Sequence, residues 1–373
     1  MPVSVTASGA GPDSSVLDAI DHAPNRETRR GALMTETMRR WEMDDIGRDR
    51  LELRHVPIPQ PQRGEVLVQV AAVALNYRDK MVTESGRGLP LSFPFTPGSD
   101  LSGTVVATGD EVTRFAIGEH VISTFTPDWI DGRRHGDART PSYRTLGGHY
   151  PGVLAEYVAL PAEWFVHAPG TLAHAEASTL PCAGLTAWFA LAERGGVRAG
   201  DTVLVEGTGG VSLFGIQLAK ALGAEVIVSG SAHKLPRAAE LGADHCVDRT
   251  REDWIEAILE ITDDRGADHI LEVVGGAHLG KAVQTAAVGG TIYQIGALEG
   301  FDVTAPVMPL MLKDITVQGI GTGHRRALED LVRAVDRTGL KPVIDERYPL
   351  TELPAALDHL DRGAFGKVVV EVA

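Results

Sequence analysis

Asp201-Thr-Val-Leu-Val-Glu206 runs directly into Gly207-Thr-Gly-Gly-Val-Ser212, and the reading of these twelve residues decides the fold. The first six read as a strand. Val211 to Leu222 reads as an apolar helix. Between them, Gly207 permits a tight turn and Gly209 lets backbone approach a pyrophosphate. Gly210 and Val211 open a helix whose free N–H groups and positive dipole end favour phosphate. A third glycine is expected at position 212 for close helix–strand packing, and Ser212 stands there instead. The strand–turn–helix setting makes this a dinucleotide site rather than a turn that merely connects two elements.

Reading outward toward the C-terminus, strands and helices alternate. Glu225-Val-Ile-Val-Ser229, His269-Ile-Leu-Glu-Val-Val274 and Gly290-Thr-Ile-Tyr-Gln-Ile295 are strand candidates, and a helical segment passes through Ala187–Leu191. Such alternation predicts an α/β fold with a doubly wound parallel sheet. Toward the N-terminus the signals are for short strands, at Glu65–Val70, Gly103–Thr108, His120–Thr124 and Ala155–Val158, with Gly and Pro between them. Residues 127–152 have no clear period and read as a long loop, functional or mobile. After Ile320 come helices near Ala327–Val335 and Leu353–Leu360 and a closing strand Lys367–Val372. This tail is too short for a domain and is expected to return to the first one. The expected division is 34–165, completed by 320–373, for the β-rich domain and 166–319 for the dinucleotide-binding domain. Residues 1–33 are small, polar and Gly/Pro-punctuated and are expected to be a disordered extension, with Met34 or Met38 the alternative start.

The cofactor is chosen at the end of the second strand, where NAD sites carry Asp or Glu for the ribose 2′-OH. Here the segment is Ser229-Gly-Ser-Ala-His-Lys234, without a carboxylate. Ser231 and Lys234 could hold a 2′-phosphate, with Arg249 after the next short strand, so NADPH is expected over NADH. The alternative for Lys234 is a solvated charge at a helix start.

The chain has 373 residues, enough for two cores, with 43% hydrophobic and 23% charged residues. A net charge of -15 argues against a nucleic-acid binder with a broad basic face. Two cysteines, Cys182 and Cys246, make no disulfide framework and fit a reducing cytoplasm. No apolar run is long enough to span a membrane.

The chain resembles the medium-chain dehydrogenase/reductase superfamily in Gly64-Glu-Val-Leu-Val68, Asn76-Tyr-Arg-Asp79, Pro97-Gly-Ser-Asp100, Gly118-Glu-His-Val121, Leu180–Ala187, Gly207–Val211, Leu241-Gly-Ala-Asp244 and Gly366-Lys-Val-Val-Val370. The resemblance implies a GroES-like catalytic domain, a Rossmann domain and a cleft between them. It also implies Asn76 and Thr186 beside the nicotinamide, and Lys234 and Arg249 at the 2′-phosphate. Gly296, Arg325 and Lys367 would be further cofactor contacts. Zinc relatives place Cys where Asn76 stands and His where Ser99 stands. Only Cys182 matches a ligand position, and residues 127–152 lack the cysteines of a structural zinc loop. No zinc is therefore expected, as in the quinone oxidoreductase and enoyl reductase branches.

Without a metal Lewis acid, a conjugated acceptor is the easier hydride sink, because its charge delocalises onto oxygen that a few donors can stabilise. Tyr77 is the expected proton donor, with Lys80 or water as alternatives. Backbone N–H groups, the Asn76 amide or the Tyr77 hydroxyl could supply the oxyanion donors, and Asp79 is a carboxylate near the cleft. Asp79 and Asp100 could equally tie loops together, and Tyr77 could be a packed aromatic. Phe125 and Trp129 are expected to shape the substrate space. A metal-free carbonyl reductase or alcohol dehydrogenase, and a nucleotide-binding sensor without turnover, stay open. The expected assembly is a homodimer through the Rossmann sheet edge, near Gly290–Ile295 or Ile315–Ile320.

Overall fold

The computed structural model describes residues 36–251 and 253–372, so the expected extension 1–33 lies outside the described residues. Thr202–Glu206 is a central strand of a six-stranded sheet. Its order is His245–Asp248, Glu225–Gly230, Thr202–Glu206, Ala267–Glu272, Ala286–Gln294, Thr316–Gly319, and every pair is parallel. A parallel sheet is covered on both faces, and the side chains of Thr202–Glu206 are all buried. Alternation splits them between two cores. Val203 and Val205 join Leu213, Phe214 and Leu271 on one side. Leu204 joins Ile227, Trp254, Ile258 and Ile270 on the other.

The second sheet has seven strands. Ile344–Pro349, Lys367–Glu371, Glu65–Leu75, Asp100–Thr108, His120–Ser123 and Phe165–His167 follow in order, and Tyr157–Pro161 also pairs with Glu65–Leu75. A hairpin, Thr37–Glu42 with Glu52–Pro57, precedes it, ahead of Glu65–Val70, the first strand expected from the sequence. The tail after Ile320 divides. Helix Arg325–Thr338 buries Ala327, Leu328, Leu331 and Val335 with Leu185, Phe189 and Phe214, whereas Lys367–Glu371 pairs antiparallel with Ala72–Leu75. The segment through Ala187–Leu191 is helical over Leu180–Arg194, with wider π-type turns at both ends.

Residues 127–152 form no long element but are tied down. The Arg78 guanidinium donates to Gly147 O (3.1 Å) and Thr145 Oγ1 (2.7 Å), and the Tyr150 hydroxyl donates to Asp128 (2.7 Å). No helix among the described residues is long and apolar enough to cross a membrane.

Candidate active site

The two sheets meet at the glycine turn. Gly207 has φ 77°, a left-handed conformation that favours glycine. Helix Gly210–Ala221 then begins, with Gly209 at its N-cap. The packing role expected of residue 212 falls on Gly215, where a Cβ would run into Leu271. Ser212 is accommodated because its hydroxyl donates to Glu206 O (2.7 Å) inside the core. The opposite side of the turn touches the closing strand: Gly366 N–H donates to Thr208 O (3.0 Å), and Gly209 and Gly366 form a parallel bridge. A Cβ on Gly209 would meet nothing within 4 Å, so this face of the turn is open, as a bound pyrophosphate requires.

One residue past that bridge, Lys367 crosses the seam. Its stem lies against Gly210, where a Cβ would come within 2.7 Å of Lys367 Cδ. Its ammonium, 4% exposed as a residue, donates to Leu75 O (2.7 Å) and Asn76 Oδ1 (2.6 Å). An ammonium cannot accept, so this contact fixes which way the Asn76 amide points. Nδ2 is left as a donor, and it reaches Ser99 Oγ at 3.3 Å. Ser99 Oγ donates to Asp100 Oδ1 (2.6 Å), and Asp100 Oδ2 accepts the Cys182 N–H (3.1 Å). Asp79 Oδ2 accepts the Asn76 N–H (2.8 Å), while its Oδ1 is buried without a partner. Burial, reinforced by the charge of Asp100, pushes Asp79 up to about 7; burial raises Asp100 against the pull of Lys367.

The positions where the resemblance would place zinc ligands thus carry an amide, a hydroxyl and one thiol. The amide is already committed to an ammonium, and burial raises the Cys182 thiol well above its usual range. One thiol with an amide and a hydroxyl is a poor donor set for zinc, whose sites use three or four Cys, His or carboxylate ligands.

The other expected residues scatter more. Thr186 is buried in the helical stretch Leu180–Arg194. Tyr77 is the first residue of helix Tyr77–Ser85 and is 43% exposed, with the Lys80 ammonium 5.7 Å from its ring centre. Lys80 itself pairs with Glu84 and Asp361. Ser231 caps the short turn Ala232–Lys234 beyond strand Glu225–Gly230. Lys234 Nζ rests on Gly363 O (2.6 Å), and Arg249 is exposed with its N–H on Gly230 O (3.0 Å). Gly296 lies where a side chain would strike the Val273 backbone. The Arg325 guanidinium, expected at the cofactor, is engaged with the carbonyl and carboxylate of Glu163. Phe125 and Trp129 are core residues; Trp129 packs edge-on against Phe189 and His324.

Tyr143 escaped the sequence reading because it sits in a stretch without periodicity. Its ring lies 4.9 Å from the Arg134 guanidinium and 6.2 Å from the Phe125 ring. It remains 37% accessible, yet protein crowds its hydroxyl. That burial, with the nearby Cys182 thiol adding to it, raises its pKa above the usual phenol value.

Residues 62–170 match the alcohol dehydrogenase GroES-like domain family, and residues 210–337 match the zinc-binding dehydrogenase family. A zinc-type alcohol dehydrogenase-like protein of Schizosaccharomyces pombe is 35% identical over 340 residues, covering 88% of this chain and 97% of that protein. The acryloyl-coenzyme A reductase of Sulfurisphaera tokodaii is 27% identical over 86% of this chain and 96% of its own length. Among solved structures, a candidate alcohol dehydrogenase from Sinorhizobium meliloti 1021 superposes with TM-score 0.89 at 60% identity, covering 91% of this chain and all of that one. The quinone oxidoreductase of Coxiella burnetii superposes with TM-score 0.74 at 25% identity, over 91% of this chain and all of its own. With two sheets joined at a dinucleotide-type turn and these likenesses along nearly its whole described length, the chain belongs to the medium-chain dehydrogenase/reductase superfamily and is an oxidoreductase of that family.

Proposed function

We propose that the protein is a metal-free, NADPH-dependent reductase of an activated C=C bond or a quinone. One observation carries the reading: the buried Lys367 ammonium occupies Asn76 Oδ1, so the Asn76 amide offers only N–H donors to an incoming acceptor. Such a preoriented donor stabilises charge that develops on oxygen as hydride adds to a conjugated system, and it needs no reorganisation. A simple ketone concentrates the whole charge on one oxygen and needs more stabilisation than a single amide donor supplies.

Bound NADPH supplies the hydride. Gly207, Gly209, Gly210 and Val211 would hold its pyrophosphate, and Thr186, Gly296 and Asn76 would flank its nicotinamide half. Ser231, Lys234 and Arg249 would take the 2′-phosphate; the absence of an acid in Ser229–Lys234 supports NADPH over NADH. Asp79 acts on Asn76 by holding its N–H and does not touch the acceptor. Tyr77, exposed at the start of its helix, donates the proton that completes the reduction. A second reading, metal-free reduction of a carbonyl, draws on the alcohol dehydrogenase names among the relatives.

We further propose a homodimer and a cytoplasmic location. Thr316–Gly319 is an outer strand of its sheet, and beside it Val288, Met311 and Leu312 are 75%, 64% and 72% exposed. An open edge flanked by apolar side chains is a pairing surface. Ala286–Gln294, also expected at this edge, is an inner strand.

The function is tested by following NADPH and NADH oxidation with an enone, a quinone, an aldehyde and a ketone. Turnover of the first two with NADPH is expected. Turnover confined to the aldehyde or ketone would favour the second reading, and no turnover despite tight NADPH binding would leave a nucleotide sensor.

A further inference from the structure

Three adjacent strands of the parallel sheet end in polar side chains, Glu206, Glu272 and Gln294. Each is followed by a loop: the Gly207–Gly210 turn, Val273–Gly276, and 295–297. His278, from helix His278–Thr285, completes the group. Glu206, Glu272 and His278 are 1%, 0% and 5% exposed. Glu272 Oε1 accepts the N–H groups of Val274 (2.7 Å) and Gly275 (2.8 Å). The Gln294 amide donates to Glu272 Oε2 and to Gly296 O (3.0 Å). His278 Nδ1 is 3.1 Å from Glu206 Oε2 and 3.8 Å from Glu272 Oε1, with its ring stacked on Trp254. The 3.1 Å contact is poorly aligned, so neither Glu206 oxygen nor His278 Nδ1 has a well-formed hydrogen bond. The Glu206 carboxylate is therefore held by a charge contact alone, one residue before the glycine turn.

We propose that Glu206, Glu272 and His278 act as one positioning unit for the cofactor, setting the spacing of the glycine turn to its two neighbouring loops and, through its protonation state, how strongly the turn receives a pyrophosphate. The inference rests on the dinucleotide reading of that turn. The charged groups facing the unit are its own members and Lys281, which lies beyond the Trp254 ring. Burial pushes Glu206 up to about 7 against the pull of His278. Burial alone would disfavour charge on His278, but Glu206 and Glu272 outweigh it and raise the imidazole. As pH rises through neutrality the unit loses a proton and gains negative charge beside an anion site. Anion binding then favours the protonated unit, and affinity falls with rising pH. A one-unit change in the pKa on binding corresponds to about a tenfold change in affinity.

The test measures the NADPH dissociation constant at pH 6 and pH 8 in the wild type and in Glu206→Gln, together with hydrogen exchange at the amides of Gly207, Val274 and Gly275 in the nucleotide-free proteins. Titration of the ligand's own phosphate is common to both proteins. The wild type should weaken about tenfold more than Glu206→Gln over this range. Glu206→Gln and His278→Ala should speed exchange at the three amides and leave the strand interior protected. Equal pH profiles with unchanged exchange would overturn the proposal. So would a stoichiometric divalent cation held by the three side chains, whose ligand atoms lie within 4.8 Å of one another. Absence of NADPH binding at any pH would sink the cofactor reading, and the exchange data would then decide the inference alone.

Discussion

Replacing Lys367 with Met tests the seam between the two halves. Met keeps much of the stem beside Gly210 and removes the ammonium that donates to Leu75 O and Asn76 Oδ1. Breaking a buried charge arrangement by deleting one partner costs roughly 3–5 kcal/mol. Part of this is recovered because Asp79, already pushed up to about 7, can take a proton. A net loss of about 3 kcal/mol corresponds to a Tm drop of roughly 6–12 °C if it falls on one cooperative domain of about 150–250 residues. The catalytic effect is separate. One preoriented oxyanion donor is worth roughly a hundredfold to a thousandfold in kcat. Met leaves the amide present but free to flip, so kcat/KM for an enone should fall between about tenfold and a hundredfold. Lys367 acts through Asn76, so Asn76→Ala and the double variant should be equally slow. A folded Lys367→Met protein within about twofold of wild type, or additive losses in the double variant, would refute the reasoning.

The raised Asp79 gives a signed pH prediction. A carboxyl whose folded pKa lies above its unfolded value contributes stability fully present below about pH 4, and that stability is lost as pH rises through about 7. Asp79→Asn mimics the neutral form, so it should raise stability near pH 8 by up to the order of 3 kcal/mol, with the gain vanishing toward pH 4 in denaturant titrations. Lys234→Ala should weaken NADPH binding about tenfold and NADH binding less than twofold, a charge–phosphate effect read by fluorescence titration; equal losses would sink the cofactor choice. Met311→Asp with Leu312→Asp should convert the proposed dimer to monomer in light scattering; an unchanged mass would place the interface elsewhere.

Much of this arrangement is legible in the sequence because it depends on local pattern. Thr202–Glu206 is an apolar run bounded by a glycine turn, and the helix after it keeps its period, so strand, turn and helix follow from neighbours along the chain. The return of Lys367–Glu371 to the seven-stranded sheet also followed from a tail too short to fold alone. Contacts across long separations were not legible. Nothing local to Gly215 says that Leu271 sits beneath it, and nothing local to Lys367 says that its ammonium ends on Asn76, 291 positions away. Nothing local to Arg325 says that its guanidinium pairs with Glu163, on a distant element. Thr37–Glu42 was missed because Met-Arg-Arg-Trp-Glu has little apolar alternation until Glu52–Pro57 pairs with it. The sheet edge was half right: strand order, which sequence does not carry, makes Ala286–Gln294 an inner strand.

The central claim is that the site lined by Asn76, Ser99 and Cys182 works without zinc, and metal analysis joined to turnover tests it most directly. Purified wild type and Cys182→Ala are assayed for bound zinc and for NADPH-dependent enone reduction, before and after dialysis against a chelator. The account predicts far less than one zinc per chain, and activity that survives both the chelator and the loss of the thiol. Near-stoichiometric zinc that disappears in Cys182→Ala, with activity falling in step, would contradict it.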